Sequence, residues 1–504
     1  MNATFSDRDV ERFRGLVVRR LGIAFDDTRL SMLADVMRRR VKASGGGAEA
    51  YLMRLGSDPA KKEVAALARE LTVPETYFFR NMDQFHALRD AIMPERLAAR
   101  SSRGPLRILS AGCASGEEAY SIAILAHEVA ADVRACVSIR AIDVNPEMLE
   151  KADRARFSDW AFRETSPDVR QRWFRQEGQE FVLDDRARRA VEFAERNLID
   201  DDPEFWRPQS YDVVFCRNVI MYFSMETARA VVSRLAEALV PGGYLFLGHA
   251  ETLRGLSQDF HLRHTHGTFY YQRRDAGVQS WERSAPTAVR RAVPLAAAAN
   301  DSADSEAWIA AIGGSTQRIE LLARTMPPPR LNRMARPSRD FGPTLDLMSR
   351  ERFAEAIGLL EALPPEAMDD PDAILLRAAL LVHSGQLDSA ETTSRRLLAI
   401  DEMSAGAHYV LALCREGAGD VSAAAEQDRM AIHLDPSFAM PHLHLGLLGR
   451  RAGDVEVARA ALDKAFVLLR GEEPARLLLF GGGFTREALL ALCRAEQLAC
   501  GRKP

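Results

Sequence analysis

The 504-residue chain carries 67 Lys and Arg against 71 Asp and Glu, a formal net charge of −4, with 47% hydrophobic and 27% charged residues. This composition is ordinary for a soluble globular protein of two to four domains, and the charge favours no particular partner. No apolar run approaches the ~18 residues of a membrane span, and the charged residues from Asp7 onward predict no signal peptide. Six cysteines without a CxxC pair or metal-ligand spacing predict a reducing, cytoplasmic compartment and no metal site.

Residues 1 to about 95 are predicted to form helices only, since their apolar positions recur at helical spacing. Four helices are expected, over Asp7–Leu21 with Ser6 as N-cap, Arg29–Ala43, Ala48–Leu55 and Lys61–Glu70. The second helix carries a basic cluster of Arg38, Arg39, Arg40 and Lys42. This cluster is either a solvated helix face or a surface that docks an acidic partner.

From Leu106 the pattern changes to short apolar runs that alternate with helices, which predicts a parallel sheet covered by helices. The predicted strands are Leu106–Ser110, Ser138–Asp143, Tyr211–Arg217, Tyr244–Gly248 and a final candidate at Phe269–Gln272. The helices between them are Ala119–Ala131 and Thr227–Leu239.

The alternation lapses between about residues 152 and 196. A helix over Arg163–Phe174 is followed by two candidate strands, Glu180–Leu183 and Ala190–Phe193, on either side of an Asp184-Asp185 turn. We interpret this segment as a small β insert within the sheet domain.

The stretch LSAGCASGEEAYSIAILA, from Leu109 to Ala126, predicts a strand, a turn of small residues and a helix that begins with Glu117 and Glu118. Such a strand end beside a helix N-terminus binds nucleotides in α/β sheets. The acidic pair disfavours a phosphate and favours a nucleoside without phosphates, or a cationic one, and S-adenosylmethionine meets both conditions. The alternative is an ordinary strand–turn–helix with a solvated acidic N-terminus.

Two further segments are predicted at the same edge of the sheet. Asp143 ends the second strand and is suited to bind ribose hydroxyls, or alternatively to cap the next helix. The sequence FCRNVIMYF, from Phe215 to Phe223, follows a later strand. It lacks the (D/N)PP(Y/F) and Pro-Cys patterns of nucleic-acid methylating enzymes, and no aromatic and basic strand face is present, so a nucleic-acid partner is not expected.

The C-terminal part contains a repeat of 34 residues, seen in the spacing of Gly385, Gly419 and Gly453. This period matches tetratricopeptide repeats, with units at about 372–405, 406–439 and 440–473. An incomplete helix pair is expected near residue 344, and Thr485–Leu498 is a candidate capping helix. Stacked units leave a concave surface, which predicts a protein or peptide ligand. Residues 275–340 have the composition of a flexible linker.

Five motifs, in order and spacing, resemble the CheR-type chemotaxis receptor methyltransferases. They are LTVPETYFFR from Leu71, AGCASGEEAYSIA from Ala111, AIDVN from Ala141, ERNL from Glu195 and FCRNVIMYF from Phe215. The resemblance covers about residues 5–273. It implies a multidomain α and α/β protein with a helical N-terminal domain (1–95) and a Rossmann-like class I methyltransferase domain (96–274) that carries the β insert. The linker (275–340) and the tetratricopeptide repeat domain (341–504) follow.

The resemblance implies methyl transfer from S-adenosylmethionine, with S-adenosylhomocysteine as product, to glutamate side chains of methyl-accepting chemotaxis proteins. By motif, the cofactor site would contain Thr76, Arg80, Glu118, Asp143, Asn197, Leu198, Cys216 and Arg217. Arg80 and Tyr222 would orient the reacting groups, with Asn218 facing the methyl-transfer zone. Pro74 stands where the family has a polar residue, so cofactor affinity is expected to be lower.

The implied partners are the cytoplasmic domains of the receptors, with no membrane insertion and with recruitment to receptor arrays. The β insert has only six residues, Arg175 to Glu180, before its Phe181-Val182-Leu183 strand, which argues against a receptor tether there. The repeats would instead target or regulate the enzyme. The alternative is a cofactor-responsive repeat scaffold with little or no methyltransferase activity.

Overall fold

The computed structural model describes residues 5–57, 61–100, 104–130, 132–249, 251–275, 341–364 and 368–501. The linker predicted over residues 275–340 lies, apart from its first residue, outside these ranges. Within them no helix is long and apolar enough to cross a membrane.

The four predicted N-terminal helices are confirmed as α1 (Asp7–Leu21), α2 (Leu30–Ser44), α3 (Ala48–Gly56) and α4 (Lys61–Leu71). Ser6 caps α1 as predicted. Its hydroxyl oxygen accepts the Asp9 N–H, and the Asp9 carboxylate accepts the Ser6 N–H. This reciprocal cap contributes about 1 kcal/mol. The apolar faces of these helices enclose a core around Phe13, Leu33 and Leu52.

Ten strands follow in chain order within the described residues. They are β1 (Leu106–Ala111), β2 (Val137–Asp143), β3 (Arg156–Phe157), β4 (Phe174–Glu177), β5 (Glu180–Leu183), β6 (Val191–Glu195), β7 (Tyr211–Cys216), β8 (Leu239–Leu247), β9 (Phe260–Thr265) and β10 (Thr268–Arg273). The accompanying helices are α5 (Met82–Ala87), α6 (Met93–Arg100), α7 (Glu117–Val129), α8 (Val133–Cys136), α9 (Pro146–Arg154), α10 (Pro167–Trp173), α11 (Asp185–Arg188) and α12 (Met225–Ala238).

Seven of the strands form one sheet in the order β6-β2-β1-β7-β8-β10-β9. The strands from β6 to β8 are parallel, and β10 and β9 are antiparallel. The chain runs outward from β1 to β6 and then returns to β7 on the other side. Strand order therefore reverses between β1 and β7, and parallel α/β sheets bind ligands at the carboxyl ends of the strands at such a point.

The prediction that Ala190–Phe193 belongs to the β insert is wrong. This segment lies in β6, which pairs in parallel with β2 at the edge of the main sheet. The insert is a separate sheet of β3, β5 and β4. The predicted helix over Arg163–Phe174 is also shorter, because Ser166 and Pro167 begin α10 after a 3₁₀ turn at Asp159–Phe162.

The C-terminal helices are α13 (Gly342–Ser349), α14 (Phe353–Glu361), α15 (Pro371–His383), α16 (Leu387–Ile400), α17 (Ala405–Gly417), α18 (Val421–Leu434), α19 (Ala439–Ala452), α20 (Val455–Leu469), α21 (Pro474–Phe480) and α22 (Arg486–Ala499). The repeat is confirmed, since α15, α17 and α19 begin 34 residues apart. The helix pair near residue 344 and the capping helix after Thr485 are confirmed too. Helix α21 was not predicted.

The repeats contact the edge of the sheet that ends in β9 and β10. The His433 ring stacks on Phe269 with centroids 4.3 Å apart, and His433 Nε2 lies 3.1 Å from the Tyr271 hydroxyl. Arg254 donates to Asp435 at 2.7 Å. Burial lowers the pKa of His433 to about 3, so its imidazole is neutral in this contact at physiological pH.

Candidate active site

The turn after β1 packs tightly against the loop after β7. Gly112 has a φ of +79°, and a Cβ atom there would lie 2.4 Å from Val219 Cγ2. Any other residue would meet both a strained backbone and a steric clash. The two loops that border the strand-order reversal are therefore held against each other.

Asp143 connects the loops that follow β1 and β2. Its Oδ2 accepts the Ala114 N–H at 2.9 Å, and its Oδ1 accepts the Asn145 N–H at 2.8 Å. Asn145, not Asp143, is the N-cap of α9, because the Asn145 Oδ1 accepts the Glu147 N–H. The helix-cap alternative for Asp143 is therefore wrong. Burial raises the pKa of Asp143, and its carboxylate retains lone pairs for a hydroxyl donor.

Glu118, in the first turn of α7, and Arg217, directly after β7, form an ion pair. Ser110 Oγ donates to Glu118 Oε1 at 2.7 Å, and Arg217 Nη1 lies 3.4 Å from Glu118 Oε2. Only 2% of the Arg217 side chain is exposed, and its Nε is buried without a hydrogen-bond partner. Burial raises the pKa of Glu118 and lowers that of Arg217, while each charge opposes the shift of the other.

Arg80 and Tyr222 lie in the same cluster. Arg217 Nη2 donates to the carbonyl of Arg80, whose own guanidinium donates to the carbonyl of Glu75 at 2.9 Å. Burial raises the pKa of Tyr222, and the positive charge of Arg80 opposes this shift. The residues predicted from two distant motifs are thus brought together.

Glu251, which the sequence analysis missed, organises the loop after β7. Its carboxylate accepts backbone N–H groups of Asn218 at 2.7 Å, Val219 at 3.0 Å, Met221 at 3.0 Å and Gly248 at 2.6 Å. Asn218 has a φ of +57°, which turns the loop around the carboxylate. A Cβ atom on Gly248 would lie 2.7 Å from Glu251 Oε2, so only glycine leaves room for this side chain.

The remaining predicted cofactor residues have mixed surroundings. Asn197 Nδ2 donates to the Arg20 carbonyl at 2.8 Å and joins the sheet edge to α1. Leu198 and Cys216 are buried apolar residues beside the same edge, with Cys216 ending β7. Thr76 is partly buried between Glu75 and Tyr77. Asn197 therefore contributes to domain contact, whatever its role toward a cofactor.

The basic cluster of α2 has carboxylate partners that its own sequence does not show. Arg40 makes a bidentate contact with Glu63 at 3.0 and 2.7 Å, and Arg39 Nε donates to Glu70 at 2.6 Å. Arg38 pairs with Asp35 on its own helix, and Lys42 is exposed. The cluster is less electropositive than its sequence indicates, and its docking role stays a prediction.

The charged groups at this edge of the sheet suit S-adenosylmethionine. Carboxylates at Glu118 and Asp143 match a sulfonium, an ammonium and ribose hydroxyls, whereas they would repel a phosphate. The buried, unpartnered Nε of Arg217 can donate to a carboxylate at the same point.

Comparison of the sequence with known proteins identifies the family of the chain. The model of the "CheR methyltransferase, SAM binding domain" matches residues 74–269. A probable chemotaxis protein methyltransferase of Rhizobium etli is 32% identical over 240 residues, which cover 46% of this chain and 88% of the relative. Chemotaxis protein methyltransferase 2 of Vibrio cholerae is 31% identical over 272 residues, which cover 53% and 93%.

A third relative matches most of the chain. The probable biofilm formation methyltransferase WspC of Pseudomonas aeruginosa is 28% identical over 425 residues, which cover 84% of this chain and 90% of the relative. The paired loops, the acidic cofactor edge and these matches agree. The chain belongs to the CheR family of chemotaxis protein methyltransferases and is an S-adenosylmethionine-dependent methyltransferase.

Proposed function

We propose that the enzyme esterifies glutamate side chains in the cytoplasmic domains of methyl-accepting chemotaxis proteins. In this proposal it works in the cytoplasm at receptor arrays, and the repeats target or regulate it. The observation that carries the proposal is that Arg217, the ion-pair partner of Glu118, also donates to the backbone carbonyl of Arg80 and so holds the Arg80 motif beside the cofactor edge. A cleft edge with both acidic and basic groups suits a cationic cofactor and an anionic substrate.

The proposed methyl transfer requires little proton transfer by the protein. Bound S-adenosylmethionine supplies an electrophilic methyl group, and a glutamate carboxylate is already a nucleophile at neutral pH. The work of the chain is to align the reacting groups and exclude water. Arg80 and Tyr222 orient the substrate carboxylate, and Glu118 with Arg217 fixes the edge of the cofactor site. Thr76, Asp143, Asn197, Leu198 and Cys216 complete the proposed cofactor site.

The decisive experiment incubates the full chain with S-adenosylmethionine labelled in its methyl group and with receptor cytoplasmic fragments. Base-labile label released as methanol identifies glutamate methyl esters, and receptor fragments with the modified glutamates changed to alanine are the control. Cofactor binding without any esterification of a panel of receptors would favour the repeat-scaffold alternative.

Removing the Arg80 side chain is expected to lower kcat by about 100-fold, because a misaligned carboxylate loses the proximity effect. Folding should change little, since Arg80 is only partly buried and its own guanidinium donates to one backbone carbonyl. Steady-state methylation by Arg80→Ala is compared with Arg89→Ala, which removes an arginine paired with its neighbour Asp90. Wild-type turnover in Arg80→Ala would reject the orienting role.

Reversing charge in the basic cluster tests receptor docking. The Arg38→Glu, Arg39→Glu double variant is expected to raise the KM for receptor fragments several-fold and to weaken its dependence on salt. Arg40 is left intact because its pair with Glu63 stabilises the helical domain. The control, Arg12→Glu on α1, disrupts a comparably exposed pair with Glu49 of α3. An unchanged KM would exclude this surface from docking.

A further inference from the structure

The concave face of the repeats is occupied by the chain itself. Helix α21 leaves the end of the third repeat and crosses back over the first helices of the repeats. Its Phe480 ring lies 5.8 Å from the Tyr409 ring of α17 and 5.1 Å from the Phe438 ring. The carbonyl of Leu479 lies 2.9 Å from His383 Nε2 at the end of α15. One short helix therefore touches the first two repeats and Phe438, the N-cap residue of α19.

Polar anchors fix the start of this crossing segment. The carboxylate of Glu472 is buried and accepts the N–H of Ala439, the first residue of α19, at 2.7 Å. Arg476 pairs with Asp435 and lies 3.2 Å from Glu472, with its guanidinium 4.7 Å from the Phe438 ring centroid. Arg476 thus forms an ion pair with a carboxylate of the repeats and a cation–π contact with one of their aromatic rings.

The repeats leave room for Phe480, at the apolar end of the segment. A Cβ atom on Gly406 would lie 3.1 Å from Phe480 Cζ, so a glycine in α17 admits the ring. Tyr409 and Phe438 are only 3% and 1% exposed, and the Phe480 ring packs against both. Without the segment, an aromatic patch would face solvent.

The segment depends on the groove for its structure. Helix α21 has seven residues, far fewer than the ~12 that give even marginal helicity in isolation. Exposed Gly471 precedes it, and Gly482 and Gly483 follow it with φ values of +65° and +80°. Glycines at both ends let the segment leave without unfolding the helices α20 and α22 on either side.

We propose that this groove is an exchangeable peptide site, and that residues 472–484 are its resting occupant. The partner is a short amphipathic helix with the same chemistry, in which an arginine is followed one residue later by leucine and four residues later by an aromatic residue, as in Arg476, Leu477 and Phe480. A tethered occupant competes at an effective concentration of about 1 mM. A free peptide with an intrinsic Kd of ~30 µM would then bind about 30-fold more weakly to the wild-type chain.

The test measures fluorescence anisotropy of a labelled, N-acetylated peptide with the sequence of residues 470–484. Full-length wild type is compared with the Arg476→Glu, Phe480→Ala variant, whose own segment has lost its anchors. We expect the variant to bind the peptide at least tenfold more tightly. The matched control is Phe484→Ala, which removes a 61% exposed ring of the same segment and should behave as wild type.

Equal peptide binding by wild type and variant, or none by a variant with wild-type helix content, would overturn the proposal. If the variant does not fold, hydrogen exchange of the wild type decides. Saturating peptide should speed exchange at 474–480 and leave α20 protected, and unchanged exchange would refute displacement. A dimer that the peptide dissociates would show that a second copy, not a separate partner, fills the groove.

Discussion

Replacing Glu118 or Asp143 by alanine is expected to abolish or greatly weaken S-adenosylmethionine binding. Glu118 lies in the first turn of α7 and Asp143 ends β2, and each carboxylate is held against β1 or the turn that follows it by one donor, Ser110 Oγ for Glu118 and the Ala114 N–H for Asp143. Loss of one charge-assisted hydrogen bond costs about 1.5–3 kcal/mol, which is roughly 10- to 150-fold in Kd. Loss of a second contact from the same carboxylate would add to this.

Folding must be separated from binding in these variants. Glu118→Ala leaves Arg217 buried without its charge partner, and unpaired buried charges destabilise proteins strongly. Glu118→Gln keeps an oxygen for Ser110 and isolates the loss of negative charge. Glu128→Ala, near the other end of α7, is the matched control. Calorimetric titration with wild-type affinity in both alanine variants would remove these residues from the cofactor site.

The order of helices and strands could be predicted from local sequence patterns, whereas the pairing of some strands could not. Short apolar runs that alternate with helical segments identified the parallel strands, and the 34-residue spacing identified the repeats. The residues of β6 read the same whether the strand pairs with β2 or within the insert, so its sheet could not be derived. The strand β9 was not predicted, because its alternation is limited to Phe260 and Leu262 and ends at the adjacent Arg263 and His264.

Side-chain partners from distant elements were equally hidden. The basic cluster of α2 indicated an electropositive face, but Glu63 and Glu70 on α4 meet Arg40 and Arg39. Helix α21 was overlooked because seven residues are too few for a helical period. Its contacts come from residues far apart in the chain, His383, Tyr409 and Phe438, which a local pattern does not reveal.

Glu251 was the most consequential omission. A single acidic residue after a strand has no distinctive sequence pattern. The structural role of Glu251 depends on hydrogen bonds from four N–H groups in two loops. The one available indication was the buried apolar strand β8, which ends just before Gly248 and brings the following residues to the ligand-binding edge.

Replacing Glu251 is expected to lower kcat about 100-fold or more, because a loop displaced by about 1 Å misaligns the reacting groups. Burial raises the pKa of Glu251, and its four backbone donors oppose this shift, so the side chain is a positioning acceptor rather than an acid or base.

Glu251→Gln preserves size but places an N–H₂ group against backbone donors, whereas Glu251→Ala leaves up to four buried N–H groups unpaired at about 1–3 kcal/mol each. We therefore expect Glu251→Ala to unfold at lower denaturant concentration than Glu251→Gln. In the glutamine variant kcat should fall while the cofactor Kd changes less than tenfold, since Glu118 and Asp143 remain in place. Glu226→Gln on α12 provides the control for amide substitution. Methylation kinetics with wild-type kcat in Glu251→Gln would show that the loop after β7 keeps its catalytic geometry without this carboxylate.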